Sequence, residues 1–348
     1  MSGSQVKEND VLLNITGASI GRCIYVPKDF GEGNVNQHVC IIRPSHHINH
    51  KYLAYFLGSH WGQDQIMSSF TGASRQGLNF KDLGGIRLPL PSFSDQKHIA
   101  AYLDASCRAI DAAVAAKRRQ IKTLEELGKV LLLKAVTQGQ SQYDLVELGV
   151  QGYGATPRHW RKSKLRYEIS VQNGDFVSDK IQENGPFPIY GGNGIMGRID
   201  ETNVDGETVV IGRVGAYCGN AQYVRGKAWV SDNALIVKSI HHASFLCYLF
   251  NALNFNLQAN STAQPVITGT KIKNTYVVLP PRSEQEEIAE YLDTKEQEAF
   301  KVKETLYRQI STLTAYRKSL IHECVTGQRR ITEQDLHNLQ ERMTFDDK

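Results

Sequence analysis

The sequence predicts a mixed α/β (α+β) chain in which two domains alternate with two long helices, the helices pairing as an antiparallel coiled coil. Three observations predict this. A stretch of 47 residues occurs twice at a constant offset of 189, an apolar period of seven runs through both copies, and weaker likenesses precede each copy in the same order. At 348 residues the chain is too long for one small domain. With 41% hydrophobic and 22% charged residues it is ordinary for a globular protein, which excludes a wholly disordered or collagen-like chain. The balance of 40 basic against 36 acidic residues gives a net charge of +4, which permits a nucleic-acid partner without requiring one.

Taken in order, residues 1–90 form the first domain. VLLNITGASIG (11–21) resembles VVIGRVGAYCG (209–219), VNQHVCII (35–42) resembles VSDNALIV (230–237), and HKYLAYFL (50–57) resembles ASFLCYLF (243–250). Residues 91–141 form the first helical segment, with its helix starting at Ser94. Leu103, Ile110, Leu124 and Leu131 fall on one seam position, and Val114, Ile121 and Ala135 on the other, with Lys117 interrupting. Residues 142–279 form the second domain. About 57 residues at its start, before residue 209, have no counterpart in the first. Residues 280–330 form the second helical segment, opened by a Ser283/Glu286 capping box. Leu292, Ala299, Leu306, Leu313 and Leu320 form its seam with Ile310 and Cys324, and Arg317 interrupts. The acidic tail, 331–348, is expected to be a frayed helix or disordered.

The two helical stretches share 17 of 47 residues, including PSFSDQKHIAAYLD (91–104) with PPRSEQEEIAEYLD (280–293) and RRQIKTL (118–124) with YRQISTL (307–313). About 43 residues of helix is roughly 65 Å. Antiparallel pairing would place the domains at opposite ends, related by an approximate two-fold axis. Two readers so placed suit a DNA target of two separated half-sites, since one turn of B-DNA is about 34 Å.

The order of segments, Pro91, Gln96, Ile99, Ala100, Tyr102, Leu103 and Asp104 with Pro280, Gln285, Ile288, Ala289, Tyr291, Leu292 and Asp293, and the mid-helix RQI, resemble the specificity (S) subunit of type I restriction-modification systems. The resemblance covers residues 10 to 330. It implies two target recognition domains, the first shortened, and a non-catalytic subunit that binds double-stranded DNA. It implies two methyltransferase (M) subunits as partners, and restriction (R) subunits in the full complex. It implies no cofactor, no metal and no membrane. The alternatives from the residues are a coiled-coil scaffold or an inactive, shortened specificity subunit without DNA readout, and a standalone methyltransferase or nuclease.

The candidate contact residues follow from chemistry. PRHWRKSKLR (157–166) carries five basic residues, and Arg158, Arg161 and Lys162 are candidates for phosphate contact, although charge runs are usually solvated surface. In IYGGNGIMGR (189–198), Tyr190, Asn193 and Arg198 could reach DNA. GNGIMG fits a dinucleotide fingerprint formally but lacks the helix that should follow. Paired donors and acceptors suited to base edges are carried in the second domain by Arg213, Asn220, Gln264, Thr270 and Lys271. In the first they are carried by Arg22, Asn36, Gln37, Arg75, Gln76 and Asn79. His46 and His50 have metal-pair spacing, but the better reading is a loop leading into a helix, as at His241 and His242. No P-loop, H-E-x-x-H or G-x-S-x-G occurs. Six scattered cysteines with no close pair read as reduced core residues of a cytoplasmic protein, and MSGSQVKEND is not a signal peptide.

Overall fold

The computed structural model describes residues 4–69, 77–177, 181–182, 184–258 and 265–346. Strands β1 (Val11–Asn14), β2 (Cys23–Tyr25) and β3 (Val39–Ile42) come first. Helices α1 (His50–Gly58), α2 (His60–Ser68), α3 (Phe80–Gly84) and the long α4 (Phe93–Gln138) follow. Next are β4 (Leu145–Glu147), β5 (Ala155–Pro157), β6 (Arg161–Lys164), β7 (Ile169–Asn173), β8 (Phe187–Gly191) and β9 (Gly194–Ile199). Then come β10 (Glu207–Gly212), β11 (Ala221–Arg225), β12 (Trp229–Val230) and β13 (Ala234–Ser239). The chain closes with α5 (Ala243–Leu253), α6 (Gly269–Lys273), β14 (Tyr276–Leu279), the long α7 (Arg282–Thr326) and α8 (Glu333–Asp346).

The chain divides into two compact units, one of residues 1–120 with 304–348 and the other of residues 121–303. In the first unit the sheet runs β2-β1-β3, all antiparallel. In the second the main sheet runs β11-β10-β13-β7, again antiparallel. The first three strands of that order match β2-β1-β3 one for one. β8 pairs with β9 and β12, and β14 pairs with β6. Each sheet buries one face against a helix of the same unit. Phe245, Leu246, Leu249 and Phe250 of α5 share a core with Val209, Ile211, Leu235 and Val237. Tyr52, Phe56 and Leu57 of α1 share one with Val11 and Leu13.

The long helices are antiparallel within each unit, because rising numbers on one meet falling numbers on the other. Asp111 meets Arg317 at 3.1 Å in the first unit. Glu125 meets Lys303 at 3.4 Å in the second, and Gln140, just past α4, donates to the Glu287 carbonyl at 2.8 Å. The interrupting Arg317 therefore stays in the seam by pairing with an acid across it. Leu103 and Ile110 are buried with Leu320 and Cys324 in one core, and Ala135 with Leu292 in the other.

The repeated motif has a structural meaning that is the same in both copies. Gln96 is fully buried; its Oε1 accepts the Asn49 N–H at 2.8 Å, and its Nε2 donates to the His47 and Pro91 carbonyls. Gln285 is buried likewise; its Oε1 accepts the His242 N–H at 3.0 Å, and its Nε2 reaches the Pro280 carbonyl and His241 Nδ1. Asn49 and His242 are the N-caps of α1 and α5, so each glutamine holds the start of its domain helix against its long helix. Asp104 accepts from Tyr55 Oη at 2.7 Å and from Lys51, and Asp293 accepts from Tyr248 Oη at 2.6 Å.

Three details correct the reading of the sequence. α4 begins at Phe93 rather than Ser94, because Ser92 Oγ accepts the Asp95 N–H. α7 begins at Arg282, with the Pro281 carbonyl accepting from Gln285 N–H, so Ser283 lies inside the first turn and Glu286 pairs with Arg282. The tail is ordered through α8: Thr332 accepts the Asp335 N–H, Ile331 is buried, and Leu336 and Leu339 pack on the core. The acidic composition of the tail hid the few apolar residues that anchor it.

Candidate nucleic-acid interface

Four segments of the second unit converge at the end of β10. The β8–β9 hairpin closes with Gly191 opposite Gly194, so Gly192 and Asn193 form its tip, and Gly194 takes φ +98°. A Cβ on Gly212, the last residue of β10, would stand 2.4 Å from the Gly192 carbonyl oxygen and 2.7 Å from that of Tyr217. Only glycine lets the hairpin tip and the loop 213–220 approach this closely. Arg213 N–H donates to the Asn233 carbonyl at 2.9 Å, and the Arg213 carbonyl accepts from Ile267 N–H at 2.9 Å. Val214 bridges Val266, and Gly212 N–H donates to the Asn220 carbonyl. Gly215 and Gly219 both take positive φ, which folds the loop back on β10.

This frame holds chemically useful side chains on a fixed backbone. Arg213 is half-buried, and among the described residues its guanidinium donates a hydrogen bond only to the Asp232 carbonyl, at 3.4 Å. It makes no ion pair among the described residues, so most of its five donors stay available. Asn193, Asn220 and Thr270 are exposed, as is half of Tyr217, and Ile195 and Met196 stand out from β9. Tyr217 escaped the sequence reading. Its signal was an aromatic between two glycines in the loop after an apolar strand.

The first unit repeats the frame. Ile15 N–H donates to the His38 carbonyl at 2.9 Å, and the Ile15 carbonyl accepts from Leu78 N–H at 2.8 Å. Thr16 bridges Gly77, and Asn14 N–H donates to the Arg22 carbonyl. Gly17 and Gly21 take the positive φ of Gly215 and Gly219. Arg22, exposed, therefore stands where Asn220 does, and Ile15 where Arg213 does. Asn36 lies beside the frame, its Oδ1 accepting from His38 N–H. Asn79 caps α3 through its side chain, in a capping box with Asp82, as Thr268 caps α6.

A family model described as the type I restriction modification DNA specificity domain matches residues 2–123 and 157–312. The chain belongs to this family. Among the relatives of this specificity-domain chain, the type I restriction enzyme EcoprrI specificity subunit of Escherichia coli is 31% identical over 146 residues, covering 41% of this chain. That match spans only 36% of the relative's own length. A solved structure from a study of the assembly of a type I restriction-modification system superposes with a TM-score of 0.78 at 18% identity, covering 94% of this chain and 84% of that one. The HsdS subunit from Thermoanaerobacter tengcongensis gives 0.58, also at 18% identity, covering 94% and 83%. At such identity these two speak for the specificity-domain fold alone.

The other residues singled out in this specificity-domain chain lie in varied settings. Arg158 pairs with Asp144 at 2.7 Å, Arg161 with Glu168 at 2.8 Å, and Lys162 donates to the Leu148 carbonyl at 2.9 Å. Each has an internal partner at the base of the second unit, near α7, where His159 and Trp160 bind Glu284. Burial alone would raise the Glu168 carboxyl, but hydrogen bonds from Arg161, Ser163 and His241 outweigh it and hold it down at about 2. Arg198 donates to the Gly185 and Pro186 carbonyls, bracing the hairpin. Tyr190 packs half-buried beside Val204 and Val230. Lys271 is exposed on α6, one residue past Thr270. Arg75, Gln76 and Gln264 lie outside the described residues. His50 opens α1 behind its Asn49 cap, and no group of three metal-ligating side chains occurs among the described residues. All six cysteines are free; burial pushes the Cys247 and Cys324 thiols up to about 12. No helix among the described residues is long and apolar enough to cross a membrane.

Proposed function

We propose that this chain is the non-catalytic DNA-specificity subunit of a cytoplasmic type I restriction-modification complex. It binds a bipartite duplex target and recruits methyltransferase and restriction subunits, which carry the chemistry. The observation that carries the reading is the frame around Arg213: a guanidinium without an acidic partner among the described residues, with exposed Asn193 and Asn220 on tight turns and exposed Thr270 on the first turn of α6. Arginine suits the O6 and N7 of guanine, and asparagine suits adenine. The repeated frame at Ile15 and Arg22 offers a second, weaker reading surface. Leu127, Val130 and Leu133, apolar and exposed on α4, offer the methyltransferase subunits a docking strip. Arg158, Arg161 and Lys162 serve the domain's own structure before they serve phosphate.

The test maps adenine methylation in cells that express the chain with its cognate methyltransferase subunit, then measures affinity for duplexes carrying the mapped motif. Arg213→Ala is expected to weaken binding about 10- to 100-fold and to relax one base position. Arg158→Ala is expected to change it less than about 2-fold. An unchanged motif and affinity in Arg213→Ala removes the assignment of the frame. No motif, and no salt-dependent duplex binding, would leave a protein-organising scaffold as the reading.

A further inference from the structure

The β8–β9 hairpin carries an apolar group that the frame around Arg213 does not need for its own support. Its two strands do not keep one register. Tyr190 lies opposite Ile195 and Ile189 lies opposite Gly197, so Met196 is an extra residue with no partner across the hairpin. Such a bulge bends its strand and re-aims the side chain it carries. Ile195 is 60% exposed, Met196 50%, and Ile181, shortly before the hairpin, 48%.

These side chains are seated. A Cβ on Gly191 would stand 2.9 Å from Met196 Sδ, so Met196 lies against bare backbone beside the hairpin tip. A Cβ on Gly197 would stand 3.0 Å from Ile181 Cγ2, so Ile181 lies against β9 in the same way. Gln182 bridges Arg198, whose guanidinium ties β9 to the Gly185 and Pro186 carbonyls. Glycine inside a strand weakens it and marks a site where another group comes close. Here the group that comes close is an apolar side chain of the same region that stays about half exposed. A lone exposed apolar residue is ordinary, whereas a braced set beside a polar site marks a contact surface.

The place of the set names its partner. Asn193, at the tip, is two residues before Ile195, and the Gly192 carbonyl sits against Gly212, the residue before Arg213. The apolar residues thus share a hairpin with an exposed amide and adjoin a guanidinium that has no acidic partner among the described residues. In the major groove every base pair presents donors and acceptors, and thymine adds an apolar group, its 5-methyl. Asparagine suits the N6 and N7 of adenine, the base that pairs with thymine.

We propose that this hairpin reads A·T pairs as a unit: Asn193 takes the adenine edge, and Ile195 and Met196 cover the 5-methyl of thymine in the same or the neighbouring pair. The inference rests on the DNA-reading function proposed above and adds the feature of the base that the hairpin senses. Ile181 fills the space over Gly197, and the bulge fixes where Met196 stands.

Replacing thymine by deoxyuridine removes that methyl and leaves base pairing intact. The test uses fluorescein-labelled duplexes carrying the motif mapped by adenine methylation, with each thymine replaced in turn, titrated with the full chain in complex with its methyltransferase subunit. At one or two positions the replacement is expected to weaken binding about 3- to 5-fold, the worth of one buried methyl group. The variant Ile195→Ser with Met196→Ser should bind the two duplexes equally, with unchanged hydrogen exchange in β8 and β9 showing that the hairpin is intact. Met196→Leu should keep the preference, and Arg213→Ala should bind more weakly yet keep it. The inference is overturned if the unaltered chain binds thymine and deoxyuridine duplexes alike at every position, or if the double serine variant keeps the preference. A double variant that keeps the preference but loses the methyltransferase subunit would make the hairpin a protein contact. Motif-specific binding that ignores the methyl sinks this inference alone, whereas the absence of salt-dependent binding to any duplex sinks the DNA-reading function with it.

Discussion

Ile15 and Arg213 hold the same place in the same backbone frame, each donating its N–H to a neighbouring turn and receiving an N–H from the segment before a short capped helix. One side chain is apolar and the other a guanidinium. The comparison teaches that this fold separates the support of a loop from its content. Strand pairing and paired positive-φ glycines fix where the tip stands, and neither depends on the side chain it presents. The same two regions also differ in strand number, since among the described residues the second sheet has four strands and the first three.

Several substitutions would sharpen or break this comparison. The largest effect is expected from Leu279→Ala, which empties a buried site and should cost the second unit about 3 kcal/mol. Leu90→Ala, its match, should cost less than about 0.5 kcal/mol. Denaturant unfolding with exchange readout separates them, and equal costs would mean that Leu90 is buried as well. Gln96→Ala and Gln285→Ala should each cost about 2–3 kcal/mol, in their own units, by stranding a buried helix cap and a carbonyl. An asymmetric result would break the equivalence of the two motifs. Glu168→Gln should cost the second unit about 2 kcal/mol by leaving Arg161 and His241 without their acid. Glu168 has a folded value below its ordinary 4.5, so its contribution is complete above that pH and is lost as pH falls toward about 2. Acid unfolding of the variant should therefore be flatter across that window. The smallest effect belongs to Lys303→Ala, at most about 0.5 kcal/mol and absent in 1 M salt, because its pair with Glu125 is partly exposed.

Much of this was legible in the sequence, and for physical reasons. A seven-residue period constrains one face of a helix whatever surrounds it, so the seam residues from Leu103 to Ala135 and from Leu292 to Cys324 could be named in advance. Arg213 and Asn193 could be placed in loops because glycines and turn residues mark strand ends. What the sequence could not give was partnership across distance. The run 157–166 reads as free positive charge, yet Arg158 and Arg161 meet Asp144 and Glu168. The repeated glutamines stand out in the sequence only as motif residues, and both are buried because a loop some 45 residues earlier in the chain presents its backbone to them.

The antiparallel seam also sets an order of events during synthesis. Residues 121–303 form one unbroken stretch and can close their own core as soon as they leave the ribosome. The unit that begins the chain cannot. Tyr52 Oη donates to the Val325 carbonyl, Arg329 donates to Tyr102 Oη, and Leu320 and Cys324 fill the core beside Leu103 and Cys107. The first domain to be translated is thus the last to be finished, and it waits for more than two hundred residues with an apolar helix face uncovered. A premature stop between residues 303 and 320 would spare the second domain and leave the first without the helix residues that close its core.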